Sequence, residues 1–262
     1  MYGKECAKFV RPIHIYMTKI FLSNGCSHTA GSEIDPNSLR TCKEKAWPRF
    51  VAEHYGMNSV NIAEGGSGNE QISRSTMLNV ISAIDQYGKD PNDIVVGILW
   101  SGFDRYEYWS PKHQEHRSFT MNVKKTPYTP EDVVIQYVEA RSLVETKNYS
   151  NYKNLYYMLT TAKLLESYNI KYFFANGLQS FTNPKEFNDS TQMREAYFNI
   201  INLYGSRVDN HLGFYNKDQL FKNYLKDTPK SNLGTGSHWD EVGQEKYADY
   251  FIQHIEKHGG VL

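Results

Sequence analysis

The run from Asp93 to Trp100 restricts the fold more than any other stretch of this chain. It carries Ile94, Val95, Val96, Ile98 and Leu99 with no polar alternation. A strand with two apolar faces needs cover on both, the position of an inner strand in a sheet sandwiched between helices. Shorter runs of the same kind lie at 18–23 (Ile20, Phe21, Leu22), Ser59–Ala63 and Ile170–Ala175. Helical spacing fills the intervals. One helix is predicted from Ala46 to Tyr55, stopped by Gly56, and another from Asn69 to Tyr87, with Ile72, Thr76, Val80, Ile84 and Tyr87 three or four residues apart. Further helices are predicted at about 131–146, 151–168, 191–204 and 241–257. Residues 31–45 read as a polar loop, 101–130 as a long excursion without a regular pattern, and 205–237 as ambiguous apart from a weak strand near Leu212–Tyr215. Strands alternating with helices give a three-layer α/β/α domain, flavodoxin-like, with a mainly parallel sheet of four or five strands. Residues 1–16 read as an N-terminal extension, and 17–262 as a single domain with an insertion at about 101–130.

In such a sheet, ligands and chemistry collect at the carboxyl ends of the strands. The first strand runs into Gly25-Cys26-Ser27-His28-Thr29. A serine there, opening a helix, lies beside free backbone N–H groups and the positive helix end, which stabilise developing negative charge. Over two hundred residues later, His238 directly precedes the amphipathic C-terminal helix. Ser27 and His238 can form a nucleophile and its base. Taken singly, each has a plainer role, a helix cap for Ser27 and a solvated or capping imidazole for His238.

Composition narrows the partners. Twenty-nine basic residues balance twenty-nine acidic ones, which implies neither nucleic acid nor an anionic membrane as partner. No apolar run approaches the ~20 residues of a membrane span. The start of the chain lacks the apolar segment and cleavage site of a signal peptide. Cys6, Cys26 and Cys42 form no CxxC pair, which favours free thiols in a reducing compartment. His113 and His116 lack supporting ligands, so no metal is expected. Gly65-Gly66-Ser67-Gly68 lacks the Gly-Lys-Ser/Thr ending of a phosphate loop, and no cofactor is expected. Aromatic residues concentrate at Trp100, Phe103, Tyr106, Tyr108 and Trp109, faces that can pack in the fold or against a sugar ring or a protein.

Taken in order, three segments resemble the SGNH (GDSL-type) hydrolase family. Gly25-Cys26-Ser27-His28-Thr29 is similar to the family's first block, with Cys26 in place of the usual aspartate, as in phage and bacterial Gly-Cys-Ser variants. Asn61-Ile62-Ala63-Glu64-Gly65-Gly66-Ser67-Gly68-Asn69 is similar to the second block, and His238, followed by Trp239 and Gly243, to the last. The resemblance implies Ser27 as nucleophile, His238 as base, and the backbone N–H groups of Ser27 and Gly66 as oxyanion donors. Two departures stand out. Trp100-Ser101-Gly102-Phe103-Asp104 lacks the third block's asparagine, leaving Ser101 as its substitute by position. No aspartate precedes His238 by two or three residues, so its imidazole needs a backbone carbonyl, Asp240 or an acid from a distant loop.

The expected activity is serine ester hydrolysis by a Ser-His dyad on a small-molecule or carbohydrate ester, including carbohydrate O-deacetylation, with Trp100, Phe103, Tyr106 and Tyr108 binding substrate. The competing expectation is an SGNH-like domain that has lost catalysis and acts as a structural or binding component, for instance of a phage particle. Virion and homo-oligomer contacts stay open as partners, and a cytoplasmic or virion location is expected. A nucleotide-binding flavodoxin-like protein is disfavoured by the missing phosphate loop.

Overall fold

A computed structural model describes residues 19–35, 37–110, 114–120, 136, 139–141, 146–183, 186, 190–230 and 238–260. The expected extension at 1–16, most of the expected helix at 131–146 and the residues just before His238 lie outside the described residues. The main sheet has five parallel strands: β1 (Ile20–Gly25), β2 (Asn58–Asn61), β3 (Ile94–Trp100), β6 (Lys171–Asn176) and β7 (His211–Leu212), in the order β2-β1-β3-β6-β7. β1 and β3 pair from Ile20↔Ile94 to Gly25↔Leu99, so their carboxyl ends finish at one edge.

Alternation along the strands divides the core in two. Ile20 and Leu22 of β1, with Ile94, Val96, Ile98 and Trp100 of β3, face one side. There they meet α4 (Asn69–Asp85), α5 (Lys147–Ser167) and α6 (Thr191–Tyr204), through residues such as Ile72, Leu155 and Tyr197. Phe21, Val95 and Leu99 face the other side, against α3 (Trp47–His54) and α8 (Glu241–Lys257), where Trp47, Tyr247 and Phe251 pack together. Burying each large side chain contributes ~1.5–3 kcal/mol, so both layers are driven by the same term. The α/β/α sandwich expected from the strand pattern is the observed architecture, with the larger of the two strand numbers.

The differences are local. The polar loop contains a short helix, α2 (Leu39–Glu44), capped by Ser38, whose hydroxyl accepts from Thr41 N–H; a three-residue cap signal in a polar stretch has no apolar periodicity to reveal it. The excursion begins as an antiparallel hairpin, β4 (Arg105–Ser110) with β5 (Glu115–Thr120). Arg74 of α4 forms an ion pair with Glu107 of β4, and His116 Nδ1 lies 3.3 Å from the same carboxylate. The hairpin is thus held to α4 by charge, which hydrophobic patterning does not show. Between β7 and α8 the described residues include a short helix, α7 (Phe221–Tyr224). Among the described residues, no helix is long and apolar enough to cross a membrane.

Candidate active site

The turn after β1 is built by two neighbouring residues. Asn24, buried, donates through Nδ2 to Ile72 O (3.0 Å), Ser75 Oγ (2.8 Å) and Thr76 Oγ1 (2.9 Å) of α4, and its Oδ1 accepts Gly25 N–H at 2.8 Å. Gly25 leaves room: a Cβ there would sit 2.8 Å from the Leu99 carbonyl oxygen and collide with the Thr29 hydroxyl. Chain direction therefore changes sharply into α1 (Ser27–Ala30), with Cys26 buried at its start. Cys26 and Cys42 are both free thiols.

Ser27 is half-exposed at this turn. Neither its hydroxyl nor its backbone N–H makes a hydrogen bond among the described residues. His28, the next residue, is buried. After α1 the chain passes Gly31 and reaches Glu33, whose φ of +70° lies in the left-handed region that a residue with a Cβ rarely adopts. Ser32 N–H donates to Ser27 O at 2.9 Å and Ile34 N–H to Gly31 O at 3.2 Å, which fixes this turn. Strained backbone of this kind costs ~1–3 kcal/mol and collects at functional sites.

The strain delivers a carboxylate to the histidine. Glu33 Oε2 lies 3.1 Å from His238 Nδ1, with the two side chains 14% and 15% exposed. Glu33 is the residue that sequence reasoning missed: it sits in a polar loop with no periodicity. Asp240, named above as one way to orient the imidazole, is otherwise engaged, since its Oδ1 caps α8 by accepting Gly243 N–H at 3.0 Å. The next residue to His238 anchors it. Trp239 is buried, donates Nε1–H to Leu225 O at 2.8 Å, and packs its ring 5.0 Å from Phe221.

The second glycine-rich segment is tied to the same corner. Asn61 donates to Thr29 O at 2.7 Å, and a Cβ on Gly65 would lie 3.7 Å from Ser32 Oγ. Gly66 has φ +85°, is exposed, and its N–H makes no hydrogen bond among the described residues. Ser101 is held by Asn69, which accepts its N–H at 2.7 Å and donates to its carbonyl at 3.3 Å. The Ser101 hydroxyl is fully buried without a partner among the described residues.

A cavity of about 600 Å³ opens at the carboxyl ends of β3 and β6, lined by Phe103, Tyr106, Leu178, Gln179, Leu220 and Lys222 among others. Ser27, Gly66, Ser101 and His238 are not among its lining residues. Phe103 and Tyr106 are nearly buried in its wall, and the charged groups of Arg141 and Lys153 lie over the Tyr106 ring at 4.4 and 3.7 Å. Trp100, expected as a substrate contact, is instead a core residue, 0% exposed with its ring edge on Phe174, because β3 directs it into the helix-covered face. Tyr108 lies half-buried on the hairpin opposite Arg117, not among the cavity-lining residues. No group of metal-binding side chains occurs among the described residues.

No protein-family model matches the chain, and no curated protein matches it. Solved structures similar to it include a carbohydrate esterase whose active site displays divergent catalytic and non-catalytic binding functions (13% identity over 95% of this chain and 72% of that one, TM-score 0.48). TesA is similar at 11% identity over 93% of this chain and 100% of its own, TM-score 0.48. A member of the lipolytic G-D-S-L family from Veillonella parvula is similar at 13% identity over 91% and 98%, TM-score 0.44. Likeness at this level assigns neither residues nor activity.

Proposed function

We propose that this chain is a serine ester hydrolase of the SGNH type working through Ser27, His238 and Glu33. The observation that carries the reading is the Glu33–His238 contact of 3.1 Å, made by a residue in strained backbone on the turn that leaves the Ser27 helix. A carboxylate beside the imidazole stabilises the imidazolium once a proton is taken. Ser27 Oγ attacks the acyl carbon as its proton passes to His238 Nε2. The backbone N–H groups of Ser27 and Gly66, unpaired among the described residues, receive the oxyanion; the Ser101 hydroxyl, fully buried, is not placed to act as the third donor expected of it. Collapse returns the proton to the departing alcohol and leaves an acyl-serine. His238 then draws a proton from water, and the second tetrahedral species releases the acid and restores Ser27.

The substrate is a small-molecule or carbohydrate ester. The competing reading, a module that binds without turnover, is favoured by the absence of a Ser27 hydroxyl hydrogen bond among the described residues. Such bonds lengthen in unliganded sites and tighten with substrate. Steady-state hydrolysis of para-nitrophenyl acetate decides between them. The hydrolase reading expects turnover that Ser27→Ala removes; turnover unchanged by Ser27→Ala, or none by the wild type on acetyl esters and acetylated sugars, overturns it.

A further inference from the structure

His28 presents an anomaly that the proposed reaction does not use. It is 7% exposed, yet it occupies an aromatic slot that a phenylalanine could fill. Its ring centroid lies 4.8 Å from that of His238, 5.0 Å from Phe221 and 5.4 Å from Trp239. Its Nδ1 is buried without a hydrogen-bond partner among the described residues, an arrangement that costs ~1–3 kcal/mol. The ring contact with the base, made one residue from the nucleophile, points to a role for the shape of this ring, in which the unpartnered Nδ1 takes no part.

Resting on the Ser27–His238 reading, we propose that His28 is a positioning residue: its ring braces the imidazole of His238 in the plane where Nδ1 meets Glu33 and Nε2 is turned to Ser27. Several features support this. The His28 ring is itself packed on Phe221 and Trp239, and His238 has the His28 ring at 4.8 Å and the Glu33 carboxylate at 3.1 Å as neighbours. Because Ser27 and His28 are consecutive in α1, the nucleophile and the brace move as one unit. The brace must also stay uncharged when His238 takes a proton, since a second cation at this distance would oppose the imidazolium. Burial, with His238, Arg105 and Lys230 acting in the same direction and Glu33 against them, holds His28 down to about 3. It is therefore a neutral ring throughout the working range of a serine hydrolase.

The test compares His28→Phe and His28→Ala in the full chain, with circular dichroism and thermal melting to confirm the fold. Ring bracing predicts that His28→Ala lowers kcat by about 30-fold or more with KM little changed, whereas His28→Phe stays within about threefold of wild type. A second readout needs no turnover: the proton NMR signal of His238 Nδ1–H, assigned by its loss in His238→Gln. It should be sharp in wild type and His28→Phe, and broadened by exchange with water in His28→Ala. Retention of kcat and of the sharp signal in His28→Ala overturns the proposal. So does a His28→Phe that folds but is as impaired as His28→Ala. Absence of turnover in the wild type would remove the hydrolase reading, while the Nδ1–H signal would still decide the bracing.

Discussion

Lowering the pH to about 5 should weaken this fold by several kcal/mol through two buried histidines. His28 is held down to about 3 chiefly by burial, and His211 likewise. His211 is locked in the core between Tyr204 Oη at Nδ1 (2.8 Å) and Asn176 Oδ1 at Nε2 (2.9 Å), so both ring nitrogens are already committed in the neutral form. In the unfolded chain both rings titrate near 6.5. The unfolded state therefore binds protons that the native state refuses, and stability falls as pH drops below ~6.5 towards ~3. At pH ~5 the unfolded rings have gained about 1.5 pKa units of proton binding, close to 2 kcal/mol each and ~4 kcal/mol together. His254, also lowered by burial, acts in the same direction. Carboxylates are still largely ionised there, since their ordinary values are near 4. Urea denaturation at pH ~7 and ~5 measures the difference, with the slope m checking that the unfolded state is unchanged. His28→Phe should lose roughly half of the decline. Equal stability at the two pH values, or a decline in His28→Phe as large as that of wild type, would refute the reasoning.

Three further outcomes follow from the site. Glu33→Gln should lower kcat by about 100-fold or more with little change in melting temperature, because the amide no longer stabilises the imidazolium; unchanged kcat would show that another group orients His238. Asn24→Ala removes the donor to Ile72 O, Ser75 and Thr76 and should cost about 2–3 kcal/mol, a fall of roughly 5–10 °C by calorimetry. Gly243→Ala places a methyl 2.6 Å from Trp239 Cβ, and pushing Trp239 displaces its neighbour His238. It should cost ~1–3 kcal/mol and lower kcat more than it raises KM.

The parts of this fold that were legible in the chain are those written in apolar periodicity. β3 is apolar on both faces because both are covered, and the six-residue ladder between β1 and β3 needs no other instruction. The C-terminal helix is similarly legible from Glu241 to Lys257, since Asp240 caps it and its Phe251 and Ile255 recur on the buried face. The β4–β5 hairpin was not legible, because Arg74 and Glu107 hold it from different elements and charge pairing across sequence leaves no local pattern. Ser27, Gly66 and His238 are proposed from the resemblance of their segments, taken in order, to the SGNH family. Glu33 could not, as its place depends on a left-handed turn made by the loop around it. The absent aspartate before His238 was the one hint that such an acid had to come from elsewhere. Trp100 is the opposite case: its place beside other aromatics suggests a binding cluster, but strand alternation puts it on the same core face as Val96 and Ile98.

The most direct measurement of the central claim is covalent labelling with a fluorophosphonate probe, followed by peptide mass mapping. The Ser27–His238–Glu33 account predicts a single phosphonylated serine at Ser27, labelled rapidly by the wild type, slowly by Glu33→Gln and His238→Gln, and not at all by Ser27→Ala. Labelling at another serine, or a wild type that hydrolyses esters while Ser27 stays unmodified, would contradict it.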